Sequence, residues 1–327
     1  MKAGAETTVA AAEQPSDSNL PKQSFFEDPL TIRTILVSTD LSVASFRALK
    51  YAVPLAKRFG AKVHIIYVYN PDVPQLILLS EITRRLQHEA QTRALYSVSP
   101  NECHVRTGKP CHEITAVAEE LDAGLVIIAK HGPRDFKRLT LGSTAEKLVH
   151  YSRCPVLVVP DGTKEPVKLE SEGSVLRKIL VPVDFSVCAK EAARYAAVFA
   201  TRVGADLQLM HVIQPPDHVG SSEPNADSRE MTHLVETALL QAEDKLDEML
   251  NFLPLVNISA ETEVAVGAPV SCLAERTAAP DIDLVITSTH GGGGGRHVLL
   301  GNVAEQLVRT ARCPVLLVPS HCRQIPR

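Results

Sequence analysis

Short apolar runs alternate with amphipathic stretches along most of the chain. The β-branched run at 32–40 predicts a buried strand, and apolar residues then recur at three- and four-residue spacing from Ala48 to Phe59, which predicts a helix with one buried face. Gly60 is placed to end this helix in the left-handed conformation. The same reasoning predicts further strands at 61–69, 102–107, 125–130 and 155–160, and helices at 75–98, 111–121 and 143–150. Alternating strands and helices predict an α/β fold, with a parallel sheet covered on both faces.

The pattern of strands and helices occurs twice. Residues 33–68 match residues 177–212 at an offset of 144 positions, and residues 131–160 match residues 290–319 at an offset of 159. A repeat of this length predicts two copies of one structural unit. We therefore predict two tandem, open, five-stranded parallel-sheet domains of the Rossmann-like type, each with strand order 3-2-1-4-5.

The repeat also shows where the copies differ. From Gly142 and Gly301 onward, 12 of 19 positions are identical. The two offsets differ by 15 positions (159 − 144), and the difference falls between Val212 and Gly267, so the polar, proline-rich stretch 214–228 is predicted to be an inserted loop. The predicted organisation is a disordered arm at 1–30, domain 1 at 31–160, a linker at 161–175, domain 2 at 176–320 and a tail at 321–327.

Composition narrows the class of protein. The 327 residues are 45% apolar and 22% charged, which is ordinary for a globular protein, and two cores of normal size can be buried. A net charge of −4 and an aromatic content of 4% argue against nucleic-acid binding. No apolar run reaches the roughly 20 residues that span a bilayer, and Glu6 and Glu13 argue against a signal peptide. With seven scattered cysteines and no CxxC pair, we expect a cytoplasmic protein.

Matching polar groups follow strands one and four of each copy. Strand one ends at Asp40 in the first copy and at Asp184 in the second. In an open parallel sheet, ligands bind beyond the carboxyl ends of strands where the winding reverses, which here lies between strands one and four. Strand four is followed in the two copies by His131-Gly132 and His290-Gly291, and then by Gly142-Ser143-Thr144 and Gly301-Asn302-Val303.

The chemistry of this loop favours an anion. Gly142 leaves its amide open to close approach, and the helix that begins at Thr144 would direct unpaired amides and the positive end of its dipole to the same point. In the first copy Arg134, Lys137 and Arg138 would add positive charge.

A second interpretation of the loop is purely structural. Ser143 and Glu146 have the spacing of a capping box, in which Ser143 caps the helix and Glu146 bonds back. Asn302 and Glu305 repeat this spacing. Capping alone and capping together with phosphate contact both remain open at this point.

The histidines and cysteines give no catalytic or metal motif. His131 and His290 lack a recognisable nucleophile or carboxylate nearby in the sequence, so we expect turn histidines bonded to backbone rather than general bases. Neighbouring residues of a strand point to opposite faces, so Cys103-His104 offers one ligand to any one site. Cys111-His112 has no partner at zinc-ligand spacing either. We predict no metal site.

Three motifs together resemble the universal stress protein family in its tandem form. They are VPVDFS at 181–186, the HG-x9-GS loop at 131–143, and the closing CPVLVVP and CPVLLVP segments. Nucleotide-binding members of that family carry G-x2-G-x9-G-[ST] on ATP ribose and phosphates, with an aspartate near the nucleoside. The resemblance therefore implies an ATP-type site at Asp40, Gly132, Gly142 and Ser143, and at Asp184, Gly291 and Gly301.

Each copy departs from the family motif. The first motif glycine is Ala129 in one copy and Ser288 in the other, and Asn302 replaces the final Ser or Thr in the second copy. An alanine adds only one methyl group near the ribose, so it leaves binding in the first copy feasible. The second copy has the more family-like PVDFS but a weaker phosphate end. Including its neighbours, the candidate cofactor site comprises Asp40, Ala129, His131, Gly132, Arg134, Gly142, Ser143, Thr144, Asp184, Gly291, Gly301 and Asn302.

The resemblance implies a stress-response regulator that binds ATP or a related adenine nucleotide, with or without Mg²⁺, and acts without catalysis. Two alternatives remain: an interaction module of the same fold with empty pockets, and a slow ATPase. The signatures of a dinucleotide dehydrogenase and of a P-loop ATPase are absent. The apolar closing strands would leave bare edges unless they are paired. Members of the family pair these strands across a dimer, so the resemblance implies that the two halves pair them within one chain as a pseudo-dimer, whether or not two chains associate further as a homodimer.

Overall fold

The computed structural model describes most of both repeats. The described residues are 30–71, 81, 84, 85, 88, 102–132, 141–163, 176–215, 227–290 and 300–319. Several predicted features lie wholly or mostly outside these residues: the N-terminal arm, the linker, the insertion, the C-terminal tail, and most of the helix predicted at 75–98. Within that predicted helix, Glu81, Arg84, Arg85 and His88 are described and are helical.

The described elements follow the predicted alternation of strand and helix. The first half (residues 31–160) contains β1 (Thr34–Thr39), α1 (Val43–Phe59), β2 (Lys62–Tyr69), β3 (Cys103–Thr107), α2 (Pro110–Glu120), β4 (Leu125–Ala129), α3 (Ser143–Tyr151) and β5 (Val156–Val159). The second half (residues 176–319) contains β6 (Lys178–Pro182), α4 (Val187–Val203), β7 (Asp206–Ile213), α5 (Asp227–Asn251), β8 (Ala260–Val266), α6 (Pro269–Ala278), β9 (Ile282–Ser288), α7 (Asn302–Thr310) and β10 (Val315–Val318).

All ten strands form one sheet, in the order β3-β2-β1-β4-β5-β10-β9-β6-β7-β8. Within each half the strands are parallel and have the predicted order 3-2-1-4-5, which confirms the fold class. The strands β5 and β10 are antiparallel to each other. The strands of the two halves therefore run in opposite directions, and the carboxyl ends of the first-half strands lie beside the amino ends of the second-half strands.

The contact between β5 and β10 joins the halves through apolar side chains. Leu157 lies opposite Leu316, and the two leucines are 2% and 1% exposed. They also occupy equivalent positions of the repeat, since 316 − 157 is the offset of 159. A local two-fold axis thus passes between them, as in an isologous interface. Burying each leucine contributes about 1.5–3 kcal/mol.

Both faces of the sheet carry a core that runs across the halves. One core contains Leu55 of α1 together with Phe199 of α4, and the ring centroids of Phe59 and Phe199 are 5.2 Å apart. The other contains Leu148 of α3 together with residues of α7. Successive buried residues of a strand point to opposite faces, so a strand such as β1 contributes side chains to both cores.

Gly60 ends α1 as predicted. Its φ is 64°, in the left-handed region, and its amide donates to the carbonyl of Ala56. Nothing lies within 4 Å of where a Cβ would stand, so backbone conformation rather than space selects glycine here. Gly204 ends α4 in the same way.

Candidate functional site

A cavity of about 500 Å³ opens beyond the carboxyl ends of β1 and β4 in the first half. This is the place at which the winding of the sheet reverses, and the volume suits a small-molecule ligand. Most of the first-half candidate residues line it: Asp40, Ala129, His131, Gly132, Gly142, Ser143 and Thr144. Arg134 lies outside the described residues. We name this cavity the first cleft.

Asp40 stands on a tight turn between β1 and α1. Its Oδ1 accepts a hydrogen bond of 2.9 Å from the amide of Ser42. Leu41 between them has a φ of 63°, and its amide donates to Oγ1 of Thr39 at 3.0 Å. This turn holds the carboxylate at the mouth of the cleft, with Oδ2 directed toward the end of β4.

Gly132 allows the two edges of the first cleft to approach each other. A Cβ at this position would lie 3.3 Å from Oδ2 of Asp40, which is tighter than an ordinary contact. A glycine at this motif position is thus explained by close approach to the aspartate. Any larger residue would push the carboxylate aside.

The start of α3 differs from the predicted capping box. Gly142 is the N-cap, with φ −60° and ψ 140°, and Ser143 is the first helical residue and makes no side-chain cap bond. The helix begins one residue early because the Gly142 amide pairs with the carbonyl of Lys130 at 2.9 Å, which fixes Gly142 outside the helix. The prediction that Ser143 caps the helix is therefore wrong.

The corrected boundary changes what α3 offers to a ligand. The N-terminal amides of the helix have no side-chain acceptor, and the Ser143 hydroxyl is not used for capping. Both line the first cleft. The start of α2 also lines it, and Lys109 at its N-cap makes no side-chain cap bond either. Two uncapped helix N-termini thus face one cavity, an arrangement that favours a bound anion.

Three lysines give the first cleft a positive lining. Lys109, Lys130 and Lys147 line it together with His112, whereas Asp40 is the only carboxylate residue among the described residues that line it. The sequence reasoning missed Lys109 and Lys147. Both could have been predicted to line the site. Lys109-Pro110 follows the end of β3, and Lys147 lies one helical turn after Ser143, on the same face of the helix.

Lys130 connects the first cleft to the other half. It is 6% exposed, and its Nζ donates to the carbonyl of Arg309, in the last turn of α7. Burial lowers the pKa of Lys130, and Asp161 opposes that shift. A cation at a helix C-terminus satisfies an unpaired carbonyl and complements the helix dipole. The cleft of one half is therefore built against a helix of the other.

His131 has a carboxylate partner that the sequence did not reveal. Its Nδ1 lies 2.9 Å from Oδ2 of Asp161, which follows β5, so the expected bond to backbone is wrong for this residue. The side chain is 5% exposed, and its Nε2 is buried without a hydrogen-bond partner among the described residues. His290 instead has Thr289 Oγ1 at 2.8 Å from its Nδ1.

The second half repeats the backbone of the cleft with other side chains. Asp184 Oδ1 accepts from the Ser186 amide at 3.0 Å, and Phe185 has a φ of 62°. Gly301 is the N-cap of α7, so Asn302, like Ser143, makes no cap bond. The predicted Asn302 cap is wrong for the same reason, because the Gly301 amide pairs with the carbonyl of Thr289. Gly291 lies outside the described residues.

The described residues contain neither a membrane-spanning helix nor a cluster of metal ligands. None of their helices is long and apolar enough to cross a bilayer. Nor do they contain a group of three or more His, Cys, Asp or Glu side chains that could hold a metal ion.

The fold and the first cleft define a class: tandem, doubly wound α/β units with a ligand cleft between strands one and four. The chain matches the universal stress protein family over residues 31–160 and again over 176–319, and it belongs to that family. Membership supports a role in the stress response.

Similar proteins agree with this assignment. A universal stress protein of Mycolicibacterium smegmatis is 27% identical over 299 residues, covering 87% of this chain and 96% of the relative. One from Methanocaldococcus jannaschii is 32% identical over 144 residues, covering 41% of this chain and 85% of the relative. The crystal structure of a universal stress protein from Archaeoglobus fulgidus covers 88% of this chain and 96% of its own, with a TM-score of 0.56 and 20% identity, which bears on the fold.

Proposed function

We propose that the chain is a stress-response regulator that binds ATP or a closely related adenine nucleotide in the first cleft. One observation carries the proposal. A cavity of about 500 Å³ combines two uncapped helix N-termini, the side chains of Lys109 and Lys147 and, among the described residues, a single aspartate, at a topological switch point. This combination suits a ligand with a polar, uncharged head and a polyanionic tail.

Each end of the nucleotide has candidate contacts. At the phosphate end, the α3 amides and the Ser143 hydroxyl would donate hydrogen bonds, while Lys109 and Lys147 would neutralise charge. At the nucleoside end, Asp40 would accept hydrogen bonds from ribose hydroxyls, because its Oδ1 retains a free lone pair and Oδ2 faces Gly132. Mg²⁺ would accompany the phosphates as part of the ligand.

The second half is proposed to serve mainly in assembly. Asn302 replaces the Ser143 hydroxyl, and Ala268 and Gln306 stand at the positions of Lys109 and Lys147, so fewer groups for phosphate are present. The two halves meet at β5 and β10 through equivalent residues around a local two-fold axis. We therefore propose an intramolecular pseudo-dimer, in which the second half supports the first cleft through Arg309.

We propose that the protein acts through conformation or partners rather than by catalysis, in the cytoplasm. Two histidines line the first cleft: His112 is exposed at the start of α2, and His131 has its Nδ1 hydrogen-bonded to Asp161. Its Nε2 is buried away from solvent, where a substrate water would not reach it. A His–Asp pair in this arrangement fixes the turn after β4.

Paired glycine variants test the assignment. Gly142→Glu places a carboxylate at the α3 N-terminus, where it opposes phosphate, so calorimetry with ATP and Mg²⁺ should lose its binding heat. Gly301→Glu is the matched control in the second half and should bind as the parent does. Protein purified without added nucleotide, then denatured, should release an adenine nucleotide detectable by chromatography.

Two results would contradict the proposal. The first is the absence of both released nucleotide and binding heat in the parent protein. The second is an equal loss of heat in Gly142→Glu and Gly301→Glu, which would remove the distinction between the clefts. Both variants must keep the circular dichroism spectrum and unfolding midpoint of the parent for the comparison to count.

A further inference from the structure

Two histidines on the neighbouring strands β2 and β3 contact each other at the edge of the sheet, away from the closing strand β5. His64 on β2 and His104 on β3 place Nδ1 and Nε2 2.9 Å apart. The rings are stacked, with centroids 5.2 Å apart and planes inclined by 23°. Both side chains are partly exposed, so the pair is accessible from solvent.

The strand register puts a carboxylate on the same face as the histidines. β2 and β3 are parallel, with Ile65 opposite Cys103 and Ile66 opposite His104. Residues 102 and 104 therefore share the face of the sheet that carries His64. Cys103 faces the opposite core and takes no part. Glu102 is near enough to His64 to raise its pKa by charge, although burial has the larger, lowering effect.

The second half contains the equivalent pair with a different chemistry. The repeat offsets relate His64 to Gln208 (208 − 64 = 144) and His104 to Glu263 (263 − 104 = 159). There, Gln208 Nε2 donates to Glu263 Oε2 at 2.8 Å. An amide and a carboxylate thus meet any structural need for a bond between these strands. Two imidazoles add a property that this pair lacks, namely two ring nitrogens that can both present a lone pair.

We propose that His64 and His104 form a two-imidazole site for a divalent transition-metal ion such as Ni²⁺, Cu²⁺ or Zn²⁺, with water in the remaining positions. Imidazole is a preferred ligand of these ions. At a metal–nitrogen distance of about 2.0–2.1 Å, two nitrogens 2.9 Å apart subtend about 90° at the metal, so the ion would stand beside the line that joins the nitrogens and each ring would turn by about 45° to aim its lone pair at it.

Binding requires no net loss of a proton from the pair. In the metal-free pair one ring donates its N–H to the other. When the metal ion enters, the donor ring carries its proton on its other nitrogen, and both facing nitrogens offer lone pairs. Burial lowers the pKa of both imidazoles and favours the neutral form that metal ions bind. The charges around the pair oppose one another, with Glu102 and Glu120 against Lys62 and Arg106.

Grafting the second-half pair into the first half tests the proposal. The parent chain, free of any affinity tag, is titrated with NiCl₂ in a calorimeter and compared with the double variant His64→Gln/His104→Glu. This variant uses residues that the same fold accepts at the equivalent positions. We expect the graft to lose one equivalent of bound Ni²⁺. The control His233→Gln removes an exposed histidine of α5 and should keep the parent stoichiometry.

The reciprocal graft guards against a folding artefact. Gln208→His/Glu263→His should add one equivalent of bound Ni²⁺ in the second half. In the parent protein, Ni²⁺ should also broaden the ring proton signals of His64 and His104 before those of the other histidines. Equal stoichiometry in the parent and in the first graft, or simultaneous broadening of all histidine signals, overturns the proposal. No nucleotide is added in these titrations, and the parent and the graft share an unaltered first cleft, so the difference between them is separate from the outcome of the proposed function.

Discussion

The two clefts share a backbone and differ in the side chains that would meet a ligand. The turn after strand one has the same form in both, since Leu41 and Phe185 have φ values of 63° and 62°. Gly142 and Gly301 are both N-caps with nearly identical dihedral angles. What differs is chemical: Lys130 of the first cleft is matched by Thr289 in the second.

This difference separates what the fold needs from what a ligand needs. The turns and helix starts position backbone groups that every copy must satisfy, so they persist through duplication. A side chain such as that of Ser143 or Lys147 is not required by the backbone, because neither caps a helix. We therefore assign the proposed nucleotide site to the first half, and the following predictions challenge that assignment.

The largest expected effect is a loss of ATP affinity when Asp40, but not Asp184, is replaced by asparagine. Asp40→Asn keeps the oxygen that accepts from the Ser42 amide but removes the charge offered to the ribose. Affinity for ATP should fall by about 1.5–3 kcal/mol, or roughly ten- to 150-fold, as measured by calorimetry. Asp184→Asn is the matched control and should leave the affinity unchanged. A similar loss in both variants would mean that both clefts bind.

A smaller effect is expected on stability from the lysine that reaches the other half. Lys130→Thr installs the second-half residue and leaves the Arg309 carbonyl without its donor. The free energy of unfolding should fall by about 1–2 kcal/mol, measured with urea. Thr289→Ser, a conservative change at the equivalent position, should change it far less. An unaltered stability in Lys130→Thr would show that this contact between the halves contributes nothing.

The smallest effect concerns an ion pair that only the second half has. Arg276 holds Asp281 through two hydrogen bonds of 2.9 and 2.7 Å, whereas the position equivalent to Arg276 in the first half is Val117. Hydrogen bonding to Arg276 holds the pKa of Asp281 well below its usual range. Because the Asp281 side chain is 44% exposed, Asp281→Asn should cost less than about 1 kcal/mol at pH 7.

The pH dependence of that difference follows from the direction of the shift. A lowered carboxylate pKa stabilises the fold fully above the unfolded-state pKa of about 3.9, and this contribution is lost as the pH falls through the folded-state value. Parent and Asp281→Asn should therefore converge in stability when urea unfolding is repeated below about pH 4. A difference that stays constant from pH 7 to pH 3 would contradict the assignment. Asp122→Asn in the first half serves as the control.

The fold was predictable because its signals are local and repeated. Strand and helix periods, the glycine at position 60 and the duplication each indicated the same architecture. The N-cap of α3 was misplaced by one residue because glycine and serine are both accepted at this position. Which of the two takes it depends on the pairing of the Gly142 amide with the carbonyl of Lys130, directly after β4.

The candidate site was predictable only in part, because some of its contacts join distant residues. Asp40 and Gly132 were indicated by family motifs and do lie together. Asp161 is 30 positions from His131 and was assigned to the linker, so no spacing rule connected them. The pair His64 and His104 was missed in the same way, because metal motifs are recognised by spacing within one segment.

The antiparallel joint of β5 and β10 has a mechanical consequence. It joins the ten described strands into one continuous sheet, so the sheet has no break at which the two halves could hinge. The two halves cannot swing apart as separate bodies without breaking hydrogen bonds between buried strands. Any change felt at one cleft must reach the other by twisting of the sheet or by sliding of helices such as α7 over it. Elastic deformation, and not opening and closing of domains, is thus the mode of communication that this architecture allows.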